Sequence, residues 1–147
     1  MNVYHLGKRF LTSLVVRKLN DEEQQLVHSV LLENELGLWM KSMKVDQRHS
    51  LVVLKRFIAI MPDAGRDAQA AALLHDIGKS QLQMGILSRV AATLIGRRTQ
   101  RFSQYHRHEQ LGIELLEAAS CSTITIGYLR GSGDPDVVSA LAIADNI

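Results

Sequence analysis

Apolar residues recur three and four positions apart along most of this chain, which is the spacing of amphipathic helices. Proline occurs only twice, and no stretch of useful length alternates between apolar and polar residues as a strand would. The pattern therefore predicts an all-α fold. The one strand-like stretch, residues 122–126, has no second strand to pair with, so we interpret it as a helix start capped by Ser122.

Capping residues and helix breakers set the limits of the predicted helices. The apolar run 10–16 predicts an amphipathic helix. From residue 20 onward the predicted helical segments are, in chain order, 20–32, 35–43, 46–61, 66–75, 84–95, 105–119, a helix starting near 122 and a last one starting at 134. We expect Asp46 to cap the third segment, which places His49 in its first turn. Asp134 as the cap and Pro135 at the first helical position begin the last helix. Four residues lie along one side of that helix: Val138, Leu141, Ala142 and Asp145.

Composition narrows the class of protein. The 147 residues are 46% hydrophobic, which suits one compact domain with its own core. A formal net charge of +2 gives no case for a nucleic-acid partner or an acidic membrane surface. Cys121 is the single cysteine, which excludes an internal disulfide and a CxxC zinc site. The apolar run 10–16 is too short to cross a membrane, so we expect a cytoplasmic protein with no membrane partner.

The adjacent pair His75 and Asp76 carries the clearest chemical signal. It follows the alanine-rich segment 66–74 and precedes Gly78, so both side chains can turn toward one ion at a helix end. A buried carboxylate costs several kcal/mol unless a positive group faces it. That group is either a metal ion or, in the alternative interpretation, an arginine that pairs with Asp76 beside a packed histidine.

Two further residues are candidate ligands of the same ion. His49 lies upstream near a predicted helix start, and Asp145 follows a core-facing apolar segment near the end of the printed sequence. Each also has a simpler interpretation. His49 alone is typical of a polar residue at a helix start, and Asp145 could lie on a frayed, solvated helix end.

The order His49, His75, Asp76 and Asp145, with residues 75–79 reading HDIGK, resembles the HD superfamily of metal-dependent phosphohydrolases. The resemblance runs from about residue 49 to 145. It implies an HD domain at 45–147, preceded by an N-terminal helical extension, 1–44, that packs on the core. It also implies that those four residues hold a divalent metal ion. A mixed nitrogen and oxygen set suits manganese, iron, cobalt, nickel or zinc better than magnesium.

His108 begins a His-Glu-Gln-Leu-Gly stretch that resembles the element giving a second-metal ligand in the binuclear branches of the superfamily. Where those branches have a later histidine, this chain has Arg130, which cannot bind a cation but can hold a phosphate. We therefore expect one metal ion per chain. His108 would then support the site or donate a proton to the leaving oxygen.

Lys79 stands where the mononuclear nucleotidase branch of the superfamily has an acidic residue. It is either a phosphate contact or a solvated charge after a helix end. Arg48, beside His49, is either a surface charge or, with Lys79 and Arg130, part of a predicted substrate-binding set. Asp76, Lys79 and His108 form the predicted catalytic set.

The resemblance implies hydrolysis of a phosphate ester of a nucleotide or related metabolite by a metal-activated water, with Asp76 or Asp145 orienting that water. A phosphate monoester is favoured over a cyclic dinucleotide, because the Gly-Tyr-Pro element of the HD-GYP branch is absent. Two alternatives remain: a di-iron oxygenase, which needs a complete second ligand set, and a regulatory module that binds a nucleotide without turnover. The N-terminal helices could cover the core or form a homodimer surface.

Overall fold

Helices form the regular structure of the computed structural model, which describes residues 17–82 and 109–146. The helices are α1 Asp21–Val30, α2 Glu33–Met40, α3 Lys44–Ile60, α4 Arg66–Leu74, a 3-10 helix Ile77–Leu82, α5 over 109–118, α6 Thr123–Leu129 and α7 Pro135–Asp145. These ranges contain no strand, so the all-α prediction is confirmed. The predicted helices at 10–16 and 84–95 and the start of the predicted helix 105–119 lie outside the described residues. No helix in the described ranges has both the length and the apolar character that a membrane span needs.

Side-chain caps begin both C-terminal helices as predicted. The Ser122 hydroxyl accepts a hydrogen bond from the Thr125 amide at 3.4 Å, so the strand-like stretch after it is helix α6. The Asp134 carboxylate accepts from the Asp136 amide at 2.9 Å, and Pro135 occupies the first turn of α7. The sequence predicted these helix starts correctly because capping is a local interaction.

The predicted start of α3 is wrong. The helix follows Met43, which caps it without a side-chain hydrogen bond, and Asp46 lies inside the first turn. The reason is a side chain from inside the helix: the buried Gln47 side chain donates to the Ser42 carbonyl oxygen at 3.0 Å and fixes the preceding turn. His49 therefore lies in the second turn of α3 rather than in the first.

Helix α4 lies at the centre of the core. It packs against α1, α2, α3, α6 and α7, and its alanines let those helices approach closely. Ala70, Ala72 and Leu74 of α4 are fully buried, as are Leu54 and Phe57 of α3. Because α4 ends in the middle of the molecule, the residues that follow it are placed where α3 and α7 can reach them.

A buried ion pair joins the N-terminal helices to α4. Glu35 of α2 is fully buried, and its carboxylate lies 2.7 Å from the Arg66 guanidinium at the start of α4. Arg66 also donates to the Val30 carbonyl oxygen at 2.9 Å, and the Leu32 amide donates to Glu35 at 2.9 Å. α1 and α2 thus pack on the rest of the chain through a charged contact as well as an apolar one. The division of the chain at residue 44 stays a prediction.

Candidate metal centre

The end of α4 fixes the orientation of the His75 ring. His75 is the C-cap of α4, and its Nδ1 lies 2.8 Å from the carbonyl oxygen of Ala72. A carbonyl oxygen can only accept a hydrogen bond, so Nδ1 carries the hydrogen. In the neutral ring the free lone pair is therefore on Nε2. A metal-binding histidine commonly makes such a bond through its other nitrogen.

The structure brings together the four residues that the sequence predicts as ligands. Nε2 of His75 lies 3.3 Å from Oδ2 of Asp76 and 3.3 Å from Oδ1 of Asp145. Nε2 of His49, from α3, lies 3.3 Å from the same Asp145 oxygen and 3.8 Å from the same Asp76 oxygen. The candidate ligand atoms of His49, His75 and Asp76 lie within 4.8 Å of one another. Three helices therefore converge on one small volume.

The surroundings of Nε2 of His75 indicate whether a cation fits into this cluster. Nε2 of His75 is buried and has no assigned hydrogen bond among the described residues, although the oxygens of Asp76 and Asp145 lie 3.3 Å away. In the neutral ring, its lone pair and the oxygens of Asp76 and Asp145 would repel one another. A cation among these atoms removes that repulsion, and two imidazoles with two carboxylates are a usual donor set for a divalent transition metal. The residues present fit a metal ion.

The same geometry shifts the pKa values of the cluster. Burial opposes charging of His75, but the Asp145 and Asp76 carboxylates outweigh burial and raise its pKa to about 10. Burial works against ionisation of Asp76 as well, yet His75 and then Lys79 lower the pKa of Asp76. His75 also lowers the pKa of Asp145. A proton on His75 thus balances two carboxylates, and a divalent cation competes with that proton.

Lys79 supplies the positive partner that Asp76 requires. Its ammonium nitrogen lies 2.6 Å from Oδ2 of Asp76, the oxygen that also faces both histidines. Among the described residues, the cationic partner is therefore a lysine three residues along the chain and not the arginine of the alternative interpretation. The Lys79 side chain is about one-third exposed, at 34%, so its ammonium remains accessible beside the cluster.

The other predicted functional residues lie elsewhere or outside the described residues. Arg48 binds Glu23 of α1 at 2.8 Å, so its guanidinium faces the N-terminal helices. Arg130 pairs with Glu117 on the exposed surface. Neither arginine lines the cavity beside the metal cluster. His108 lies outside the described residues. The roles of these three residues stay predictions.

A cavity of about 260 Å³ opens beside the cluster, and His75, Asp76 and Asp145 form one part of its wall. Apolar side chains from five helices form most of the remainder, among them Val53, Ala72, Ile113, Leu116, Leu129 and Val138. The cavity was not predicted from the sequence. The alignment of four residues along one side of α7 was a signal for it, since all four line the cavity.

Gly112 explains how closely α5 approaches the metal cluster. A Cβ atom at this position would lie 3.1 Å from the Gly78 backbone nitrogen and 3.3 Å from the Ile77 side chain. Those distances are shorter than ordinary packing allows, so only glycine fits without a shift. The glycine of the His-Glu-Gln-Leu-Gly stretch therefore has a steric role that the sequence alone did not predict.

Comparison with known families agrees with this geometry. The family model of the HD domain matches residues 47–146, which is more than half of the chain. No curated protein and no solved structure gives a significant match. HD domains are generally metal-dependent phosphohydrolases that act on small phosphorylated substrates. The matched range contains His49, His75, Asp76 and Asp145, and the chain therefore belongs to the HD domain family.

Proposed function

We propose that this protein is a metal-dependent phosphohydrolase that cleaves a phosphate monoester of a nucleotide or related metabolite. The observation that carries the proposal is the buried Nε2 atom of His75, which faces two carboxylates and has no hydrogen-bond partner among the described residues. A divalent cation can take the place of the proton that otherwise balances these carboxylates, and in an HD domain such a cation supports hydrolysis of phosphate esters.

Four residues would hold the ion: His49, His75, Asp76 and Asp145. Their donor atoms suit one manganese, iron, cobalt, nickel or zinc ion per chain. When bound, such an ion lowers the pKa of a water molecule and polarises a phosphoryl oxygen. The chain itself must then orient the water, accept its proton and bind the phosphate.

The two carboxylates differ in ways that suit different tasks. The Asp76 side chain is 15% exposed and is held by Lys79, whereas the Asp145 side chain is 40% exposed. Asp145 is therefore the residue that solvent reaches and the better candidate to orient the attacking water and accept its proton. The ammonium of Lys79 lies beside the cluster, where it can hold a phosphoryl oxygen and stabilise the charge that develops during transfer.

Metal content and phosphate release, measured on the same preparations, test the proposal. The purified protein is loaded with each candidate ion, its metal content is determined by elemental analysis, and phosphate release is measured on a panel of monoesters. The variants are His75→Ala and Asp76→Ala. His28→Ala is the matched control because His28 is an exposed histidine on α1.

We expect one ion per chain in the wild type and in His28→Ala, and loss of both metal and phosphate release in the two site variants. Absence of metal after loading, or equal phosphate release in Asp76→Ala, would overturn the proposal. Two irons per chain would indicate an oxygenase instead. Tight nucleotide binding without turnover would indicate a regulatory binding module.

A further inference from the structure

The cavity beside the metal cluster has no task in the chemistry described above. We propose that it receives the organic group of the substrate, and that this group is ring-containing and uncharged. This inference rests on the proposed function for the phosphate end of the substrate. It makes the substrate the monophosphate of a ring compound, a class that includes nucleoside monophosphates and excludes diphosphates and small polyol phosphates.

Charge is distributed unevenly along the cavity wall. Four residues of the described wall are histidine or carboxylate residues: His75, Asp76 and Asp145, which belong to the metal cluster, and the exposed Glu109. No lysine or arginine among the described residues lines the cavity. Along the described part of the wall, a second phosphate or a carboxylate on the substrate would therefore meet carboxylates and apolar surface without a positive partner. Such burial of an unpaired charge is strongly unfavourable.

Most of the described part of the wall consists of aliphatic side chains and backbone that is already hydrogen-bonded within helices. Val53, Ala72, Leu116 and Leu141 come from four different helices and offer no polar side-chain atom. Substrate hydroxyl groups at these positions would lose their hydrogen bonds to water without replacement. An uncharged ring, by contrast, gains from removal of its surface from water.

The volume of the cavity sets the size of the group. A cavity of roughly 150 Å³ lined by apolar side chains can hold one benzene ring. The cavity here is about 260 Å³, so it has room for a two-ring group or for one ring with a linker. It continues up to the metal cluster, which places the phosphate of such a molecule beside the candidate ligands.

Tyr128 provides an aromatic surface in the wall, and a glycine fixes its ring. Gly133 has a φ of +101°, and a Cβ there would lie 3.1 Å from two carbon atoms of the Tyr128 ring. The ring therefore packs directly on backbone that any other residue would push away. An aromatic side chain in the cavity wall can stack on a flat ring of the substrate.

Two non-hydrolysable ligands of equal charge test the inference on the metal-loaded protein. The probes are 1-naphthylmethylphosphonate and 3-hydroxypropylphosphonate, which differ only in the organic group, and binding is measured by calorimetry. We expect the naphthyl compound to bind at least tenfold more tightly. Equal affinity for the two compounds in the wild-type protein would overturn the inference without any variant.

A pair of variants then locates the binding site. Val138 lines the cavity and is half-buried, whereas the adjacent Ser139 is exposed on the same helix. Val138→Phe should weaken binding of the naphthyl compound about tenfold, and should leave both metal content and hydroxypropylphosphonate affinity unchanged. Ser139→Phe adds the same ring outside the cavity and should change none of these. Equal effects of the two variants would contradict the assignment.

The two proposals fail in different ways. If the naphthyl compound is preferred but no ester is hydrolysed, the cavity assignment stands and the hydrolase proposal falls. If esters are hydrolysed with the same kcat/KM whether or not they carry a ring, the hydrolase proposal stands and the cavity assignment falls.

Discussion

At the scale of single residues, the oxygen Oδ2 of Asp76 is where the charges of the site meet. It lies 2.6 Å from the Lys79 ammonium, 3.3 Å from Nε2 of His75 and 3.8 Å from Nε2 of His49. A divalent ion that binds this oxygen is therefore close to a fixed positive charge. Lys79 should weaken metal binding and strengthen phosphate binding through the same electrostatic effect.

Replacement of Lys79 by methionine should separate these two effects. We expect Lys79→Met to raise the affinity for the divalent ion about tenfold, roughly 1.4 kcal/mol, because a repelling charge is removed. The KM for phosphate esters should rise in the same variant, because a positive group beside the phosphate is lost. Calorimetric titration of the metal and steady-state kinetics measure the two changes.

Lys55→Met is the matched control for that experiment. Lys55 pairs with Glu23, so the substitution removes the same charge at a different place. Metal affinity should be unchanged in this control. A fall in metal affinity in Lys79→Met, or an equal rise in both variants, would contradict the argument.

At the scale of elements, the contact between α5 and the turn after Asp76 should be sensitive to a single methyl group. Gly112→Ala adds a Cβ atom 3.1 Å from the Gly78 backbone nitrogen, so backbone must move. We expect a loss of about 1–2 kcal/mol in the free energy of unfolding. Metal affinity should fall as well, because the displaced turn carries Asp76. Urea unfolding and metal titration provide the measurements.

Gly37→Ala on α2 is a close comparison, because Gly37 is also helical but has nothing within 4 Å of its added Cβ. Alanine is the better helix former, so this variant should be unchanged or more stable by up to ~1 kcal/mol. If the two variants lost the same free energy of unfolding, the loss would come from the change of glycine to alanine within a helix and not from the contact with Gly78.

The elements also show which features a sequence can predict. Ser122 and Asp134 were identified as caps because a cap and its partner lie within three residues of each other. The start of α3 was missed because Gln47, a side chain inside the helix, fixes the turn before it. Glu35 was not recognised as buried because its partner, Arg66, lies 31 positions away in the chain.

The same distinction between neighbouring and distant residues applies to the candidate site. The pair His75 and Asp76 indicated metal binding because both residues are adjacent in the sequence, and the family pattern then pointed to His49 and Asp145. The nitrogen of His75 that faces the cluster could not be predicted, because it depends on the bond to Ala72. The cavity could not be predicted either, since five helices contribute to its wall.

At the scale of the whole molecule, buried carboxylates fasten the N-terminal helices to the HD domain at two points. Glu35 pairs with Arg66 of α4, and Glu23 pairs with Arg48 and Lys55 of α3. Glu23 also accepts a hydrogen bond from the Asn20 amide in a capping box. The predicted substrate contact Arg48 is thus engaged in a contact between α1 and α3.

The contacts of Glu23 make the stability of the molecule depend on pH. The hydrogen bond from Lys55 has the largest effect and lowers the pKa of Glu23, whereas burial raises it. The contacts with Asn20 and Arg48 lower this pKa further. The net result is a fall in the pKa of Glu23 from 4.5 to about 2. A carboxyl group whose pKa is lower in the folded state stabilises that state at any pH above its unfolded value. This contribution is therefore complete above pH 4.5 and is lost as the pH falls toward 2.

Urea unfolding of the wild type and of Glu23→Gln between pH 6 and pH 3 measures this contribution. The wild type should be more stable by on the order of 1–2 kcal/mol at pH 6, after allowance for solvent screening, and this advantage should shrink steadily below pH 4.5. Glu22→Gln, an exposed neighbour on α1, controls for the general loss of a carboxylate and should follow the wild-type curve. The free energies of unfolding of the wild type and Glu23→Gln could instead differ by the same amount at every pH in this range. In that case the charge of Glu23 does not hold α1 against the HD domain, and apolar contacts such as those of the buried Val27 and Val30 must do so.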